Sequence, residues 1–112
     1  MIRLLWLASA LALVACGPTR VGEPFGSPAR LTSAAAETGE RVFMTFCQQC
    51  HPGGAAGLGP AINDKPLPGF LIRLQTRHGL GAMPEFDESA IPDAELDALV
   101  AYLQELRRQA AS

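Results

Sequence analysis

The run Cys47-Gln48-Gln49-Cys50-His51 gathers three chemically capable side chains into five residues. Two thiols with two residues between them, followed at once by an imidazole, match the attachment pattern of a c-type haem. The thiols can add across the two vinyl groups of the porphyrin, and His51 is then placed to bind the iron from the proximal side. The same thiol spacing also serves as a dithiol/disulfide pair or as half of a tetrahedral zinc site. A dithiol centre needs a βαβ setting, and the flanks here are not strand-like. Zinc needs two more ligands, for which Cys16 and His78 are the strong candidates, and Cys16 has a separate reading. Haem attachment through Cys47 and Cys50 is preferred, with the dithiol and zinc readings kept as alternatives.

His51 provides one axial bond, so the sixth position decides what the iron can do. Met83 and His78 lie downstream of the run, and Met44 sits just before it in a helical segment. Thioether sulfur favours ferrous iron and raises the potential, whereas a second imidazole lowers it. Met83 belongs to Gly79-Leu80-Gly81-Ala82-Met83-Pro84, a glycine loop where a core-filling methionine has little to fill. Pro84 stiffens the backbone beside it. Met83 is the preferred sixth ligand, with His78 and an open position as alternatives. Iron closed by His51 and Met83 admits no small-molecule substrate, which points to a one-electron carrier rather than an enzyme. A displaceable Met83 would instead make a haem-based sensor or small-ligand binder.

Three helices are predicted to position these groups. The first runs on from Ala34 with Ser33 as its cap and Glu37 close to the position that completes a capping box. Gly39, Val42, Phe43 and Phe46 give it one broad apolar face. Gly39 is out of place there, because glycine inside a helix costs about 1 kcal/mol against alanine, so a close neighbour is expected. Residues 52–64 read as a glycine-rich loop. Residues 66–77 read as a short helix with Phe70, Leu71 and Leu74 on one side. The last helix is the clearest. Pro92 suits its first turn, Asp93 and Glu95 its positive end, and Arg107 and Arg108 its negative end. Leu96, Leu99, Val100, Leu103 and Leu106 form its buried stripe, with Tyr102 alongside.

The N-terminal third reads differently. Arg3 precedes an apolar run over residues 4–15 that is interrupted only by Ser9. The run is shorter than the roughly 20 apolar residues a spanning helix requires, and it has the form of a secretory signal. Leu13-Val14-Ala15-Cys16 is similar to a bacterial lipobox, which makes residues 1–15 a lipoprotein signal peptide and Cys16 the lipidated first residue of the mature chain. Residues 16–33, with Pro18, Gly22, Pro24, Gly26 and Pro28, read as a flexible tether. Residues 34–112 form the domain. The expected location is the bacterial cell envelope, anchored by lipid and facing the periplasm. Gly17 slightly favours the outer membrane. With a formal net charge of −2 and Lys65 as the only lysine in 112 residues, nucleic acid is not an expected partner.

The order Gly39-x-x-x-Phe43-x-x-x-Cys47-x-x-Cys50-His51, then Gly57-x-Gly59-Pro60, then Gly81-Ala82-Met83-Pro84-x-Phe86, then Tyr102-Leu103, resembles the class I c-type cytochromes over nearly the whole domain. The resemblance implies an all-α cytochrome c fold, with three main helices wrapped around one covalently bound haem c. It further implies that Gly39 sits where the first and last helices cross, against Tyr102. By the same resemblance the Pro60 carbonyl accepts a hydrogen bond from His51, and Pro84 holds Met83 toward the iron. The partners would be redox proteins, a donor and an acceptor, met either by shuttling or as a dedicated electron-transfer subunit of one dehydrogenase or reductase complex. One departure stands out. Mitochondrial members carry lysines around the exposed haem edge, whereas here Glu85, Asp87 and Glu88 follow the methionine. A basic or largely apolar partner face is expected.

Overall fold

The computed structural model describes residues 31–63 and 65–110, the last of these by its backbone alone. The signal peptide, Cys16 and the tether as far as residue 30 lie outside the described residues. Helix α1 is Ala34–Phe46, α2 is Gly69–His78 and α3 is Asp93–Ala110. A single 3-10 turn, Pro52–Gly54, lies between α1 and α2. Among the described residues there is no strand, only an isolated bridge between Leu80 and Met83. The architecture is all-α, as the motif order implies.

Ser33 caps α1 from an extended backbone, its hydroxyl accepting from the Ala36 N–H at 3.1 Å. Ala36 rather than Glu37 occupies the third helical position, so Glu37 acts as an acidic group in the first turn instead of completing a capping box. The buried face of α1 is Ala36, Gly39, Val42 and Phe43, and it packs on α3. At Gly39 the two backbones meet. A β-carbon there would lie 2.6 Å from Tyr102 Cβ and nearer still to the carbonyl oxygen of Ala98. The Phe43 and Tyr102 rings close the same crossing at 5.7 Å between centroids. Around it Leu96, Leu99, Val100, Leu103 and Leu106 are buried as their spacing predicts, joined by Ile72 of α2 and Ile91.

Helix α2 departs from expectation. It begins at Gly69 rather than at residue 66, because two prolines intervene. A residue before proline is driven out of the helical region, and Pro68, with ψ 150°, is itself the extended cap. The face turned to the core is Ile72 and Thr76. Phe70 and Leu74 are instead exposed. Gly69 lets this helix approach α3, against Val100 and Gln104.

Two polar contacts anchor the C-terminal part of α3. Arg107 donates to the carbonyls of Leu67 at 3.1 Å and Ile62 at 3.0 Å, pinning the long loop to the helix. Glu105, only 6% exposed, accepts from the Thr32 N–H at 2.6 Å and its hydroxyl at 2.8 Å. Leu31 packs against the core beside this contact. The Thr32 hydrogen bonds hold the Glu105 carboxyl below the usual carboxylate range, with Arg108 assisting. A carboxyl whose folded pKa is depressed adds stability above its ordinary pKa and loses it as pH falls through the depressed value. Glu105→Gln should therefore be less stable than the wild type at neutral pH, and the gap should close in acid. Urea midpoints measured against pH test this, and a gap independent of pH would contradict it.

Candidate functional site

The reactive pentapeptide continues directly from the end of α1. Cys47 caps the helix, its N–H bonding to the Phe43 carbonyl. The next turn closes with Cys50 N–H and His51 N–H both donating to the Cys47 carbonyl, at 3.1 and 2.9 Å. Residues three and four apart on such a turn share a face, so Cys47, Cys50 and His51 project to one side. Both cysteines are free thiols. Burial, and secondarily the neighbouring Cys50, push the Cys47 thiol up to about 11. A redox-active dithiol requires the opposite, a lowered pKa that populates thiolate. Among the described residues no group of three or more His, Cys, Asp or Glu side chains is placed to hold a metal ion, so the zinc alternative gains no support there.

His51 is buried and oriented by the loop that follows it. Its Nδ1 lies 2.8 Å from the Pro60 carbonyl oxygen. With Nδ1 donating there, Nε2 is the ring nitrogen left for a metal, and the hydrogen bond raises its basicity. The loop is itself fastened to the turn. Gly59 N–H donates to the Cys50 carbonyl, and the N–H groups of Ile62 and Asn63 both donate to the Gly54 carbonyl. Gln48 adds a brace, its Oε1 accepting from the Gly53 N–H at 2.9 Å. Gly59 passes so close to the imidazole that a β-carbon would stand 2.8 Å from Nε2. Only glycine leaves that ring its place.

Met83 sits on a separate strap between α2 and α3. Its N–H donates to the Leu80 carbonyl at 3.0 Å, closing a tight turn that contains Gly81. Gly79 ends α2 with φ of 65°, a left-handed conformation open to glycine at no steric cost. The strap is tied back to α2 by Phe86 N–H donating to the Thr76 carbonyl. The Phe86 ring packs edge-on against Phe46 at 5.7 Å. Phe46 immediately precedes Cys47, so the methionine strap and the pentapeptide share one packed joint. His78, the alternative ligand, is exposed at the end of α2. With Leu71, Leu74, Gln75, Gly79 and Leu80 it lines a cavity of about 440 Å³.

Residues 34–103 match the family model described as cytochrome c oxidase, cbb3-type, subunit III. The chain belongs to the c-type cytochromes. It is 32% identical over 99 residues to the 4-cresol dehydrogenase [hydroxylating] cytochrome c subunit of Pseudomonas putida, covering 88% of this chain and 77% of that protein. It is 35% identical over 77 residues to cytochrome c6 of Bryopsis maxima, covering 60% of this chain and 86% of that protein. No solved structure matches at a significant level. The cytochrome is thus an electron-transfer protein whose cofactor is haem c.

The donor set of this cytochrome fits that cofactor. Two free thiols and a histidine with one nitrogen already engaged lie within one turn closed on the Cys47 carbonyl. Exposed apolar surface is present on the second helix and its loop, at Leu74 and Leu80, which line the α2 cavity. Haem supplies a single iron that changes oxidation state by one electron, and the protein supplies its ligands, its shielding from water and the tuning of its potential.

Proposed function

We propose that this cytochrome is a lipid-anchored one-electron carrier of the bacterial cell envelope. Cys47 and Cys50 bind the haem covalently, His51 and Met83 are its axial ligands, and Pro60 orients His51. The observation that carries the reading is the 2.8 Å approach of His51 Nδ1 to the Pro60 carbonyl on the turn that also presents both thiols. An orienting partner of this kind fixes the tautomer of a metal-binding imidazole and leaves its other nitrogen for the iron. With two protein ligands on the iron, electrons leave and enter through the porphyrin edge and no substrate is bound there.

Haem attachment is tested by acid–acetone extraction of the denatured wild type, in which haem should remain with the polypeptide. Complete extraction would rule out thioether bonds. Cys47→Ala or Cys50→Ala should each remove one thioether and yield poorly matured protein.

The anchor rests on Leu13-Val14-Ala15-Cys16. Cys16 would carry the acyl chains of a mature lipoprotein, which exceed the two membrane signals that stable anchoring needs. The tether would hold the domain within a few nanometres of the surface, at high effective concentration toward membrane-associated partners. Wild-type protein should sediment with membranes, while Cys16→Ser should be retained uncleaved or released. Mass spectrometry finding an unmodified Cys16 in the mature protein would overturn the anchor. Gly17 favours the outer membrane slightly.

A second reading is favoured by the resemblance to the dehydrogenase cytochrome subunit. In it this chain serves one dehydrogenase as a docked electron-transfer subunit instead of shuttling. Co-purification with a dehydrogenase in a fixed ratio would support that reading. In either case the exposed Glu85 and Glu88 beside the methionine suit a partner with a basic or apolar face. Asp87 is otherwise occupied. Its Oδ1 accepts from Ser89 and Ala90 and shapes the turn before α3.

A further inference from the structure

Arg77 has no part in the motifs of the family, yet its guanidinium makes three hydrogen bonds to groups outside its own helix. It lies in the last turn of α2, and its side chain is 18% exposed. Its Nη1 donates to the Phe86 carbonyl at 3.0 Å and to the Ile91 carbonyl at 2.7 Å. Its Nη2 donates to Asp93 Oδ1 at 2.6 Å. The preceding residue, Thr76, accepts from the Phe86 N–H at 2.9 Å. Both backbone groups of Phe86 are therefore held by two consecutive residues of α2.

This clip closes the strap that carries Met83. Between it and the end of α2 the strap has little other support. Gly81 at its tip is exposed, and a β-carbon there would meet nothing within 4 Å. The internal bond from Met83 N–H to the Leu80 carbonyl shapes the turn but does not attach it to the helices. The guanidinium has the fork geometry and the fixed charge to hold two carbonyls and a carboxylate at once. Lysine also has three donors, but on one nitrogen and without this planar spread.

We infer that Arg77 is a positioning residue for the sixth ligand, keeping Met83 on the iron by clamping Phe86. The inference rests on the reading of Met83 as that ligand. Without the clamp the strap would open often enough for an external molecule to reach the iron, and the apparent affinity for that molecule would rise with the open fraction.

The test compares haem-loaded wild type, Arg77→Lys, Arg77→Ala, Asp93→Asn and Met83→Ala at a temperature where circular dichroism shows full helix content. The readouts are the red methionine-to-iron charge-transfer band of the ferric form and carbon monoxide uptake by the ferrous form. Arg77→Ala should weaken the band and bind carbon monoxide about tenfold or more tightly than wild type, the scale set by losing charged hydrogen bonds. Arg77→Lys, with a point charge in place of the fork, should fall between. Asp93→Asn leaves both backbone bonds in place and should behave as wild type. Arg77→Ala or Arg77→Lys with full helix content, an undiminished band and wild-type resistance to carbon monoxide would overturn the positioning role. A band that survives Met83→Ala would overturn the ligand assignment itself, and the clamp with it.

Discussion

Replacing Gly39 by valine is expected to destabilise the domain strongly, by separating its first and last helices. The added β-carbon would fall 2.6 Å from Tyr102 Cβ and closer still to the Ala98 carbonyl. The nearer obstacle is backbone of a helix whose opposite face is buried in the core, so it cannot swing aside as a side-chain tip would. Relief requires α1 and α3 to separate, which loosens Val42, Phe43, Leu99 and Tyr102 together. Overpacking typically costs about 1–3 kcal/mol, and the two further methyl groups of valine put Gly39→Val at or above the top of that range. A small domain holds only about 5–15 kcal/mol in total. Gly39→Ala gains about 1 kcal/mol of helix propensity, yet it places the same β-carbon against the same carbonyl and should still be less stable than wild type. Thermal unfolding of the three proteins tests both statements. A stabilised Gly39→Ala would mean that the helices do not cross here.

The second large effect is expected at Met83. With Met83 as the proposed sixth ligand, Met83→Ala would remove a soft donor that favours ferrous iron, and the reduction potential should fall. Each tenfold of lost ferrous preference lowers a one-electron potential by about 59 mV, and a drop on the order of 100 mV is expected. The same variant should bind carbon monoxide and lose the red charge-transfer band. His78→Ala should leave the potential and the band nearly unchanged. If His78→Ala shifted the potential and Met83→Ala did not, the axial assignment would be reversed.

What could be read from the sequence follows from the range of the interactions involved. Helix α3 was legible because its stripe, its acidic start and its basic end are all local signals. The start of α1 was equally legible from Ser33. The close approach at Gly39 could be anticipated because glycine is anomalous in an apolar helix face. Helix α2 was placed three residues too early, since the weight of its apolar residues hid the two prolines that set its start. The spacing groups Phe70, Leu71 and Leu74 on one side, but periodicity does not say which face meets the core, and Phe70 and Leu74 are exposed. Ile72 and Thr76 face the core because Gly69 lets the helix lean on Val100 and Gln104. The pairing of His51 with Pro60 came from the motif order, whereas the passage of Gly59 beside the ring needed coordinates. Arg77 and Glu105 gave no signal in the sequence, and Arg107 signalled only the end of α3. Their partners are backbone groups brought near by the fold, and nothing in a string of residues marks which carbonyl a given arginine will meet.

The central claim is that the iron is closed by two protein ligands and exchanges single electrons. Potentiometric titration of the haem-loaded wild-type protein, carried out under nitrogen and again under carbon monoxide, tests it most directly. Two superimposable one-electron curves are predicted, because Met83 keeps the ferrous iron from the gas. A midpoint that rises under carbon monoxide would show an accessible sixth position and contradict the account.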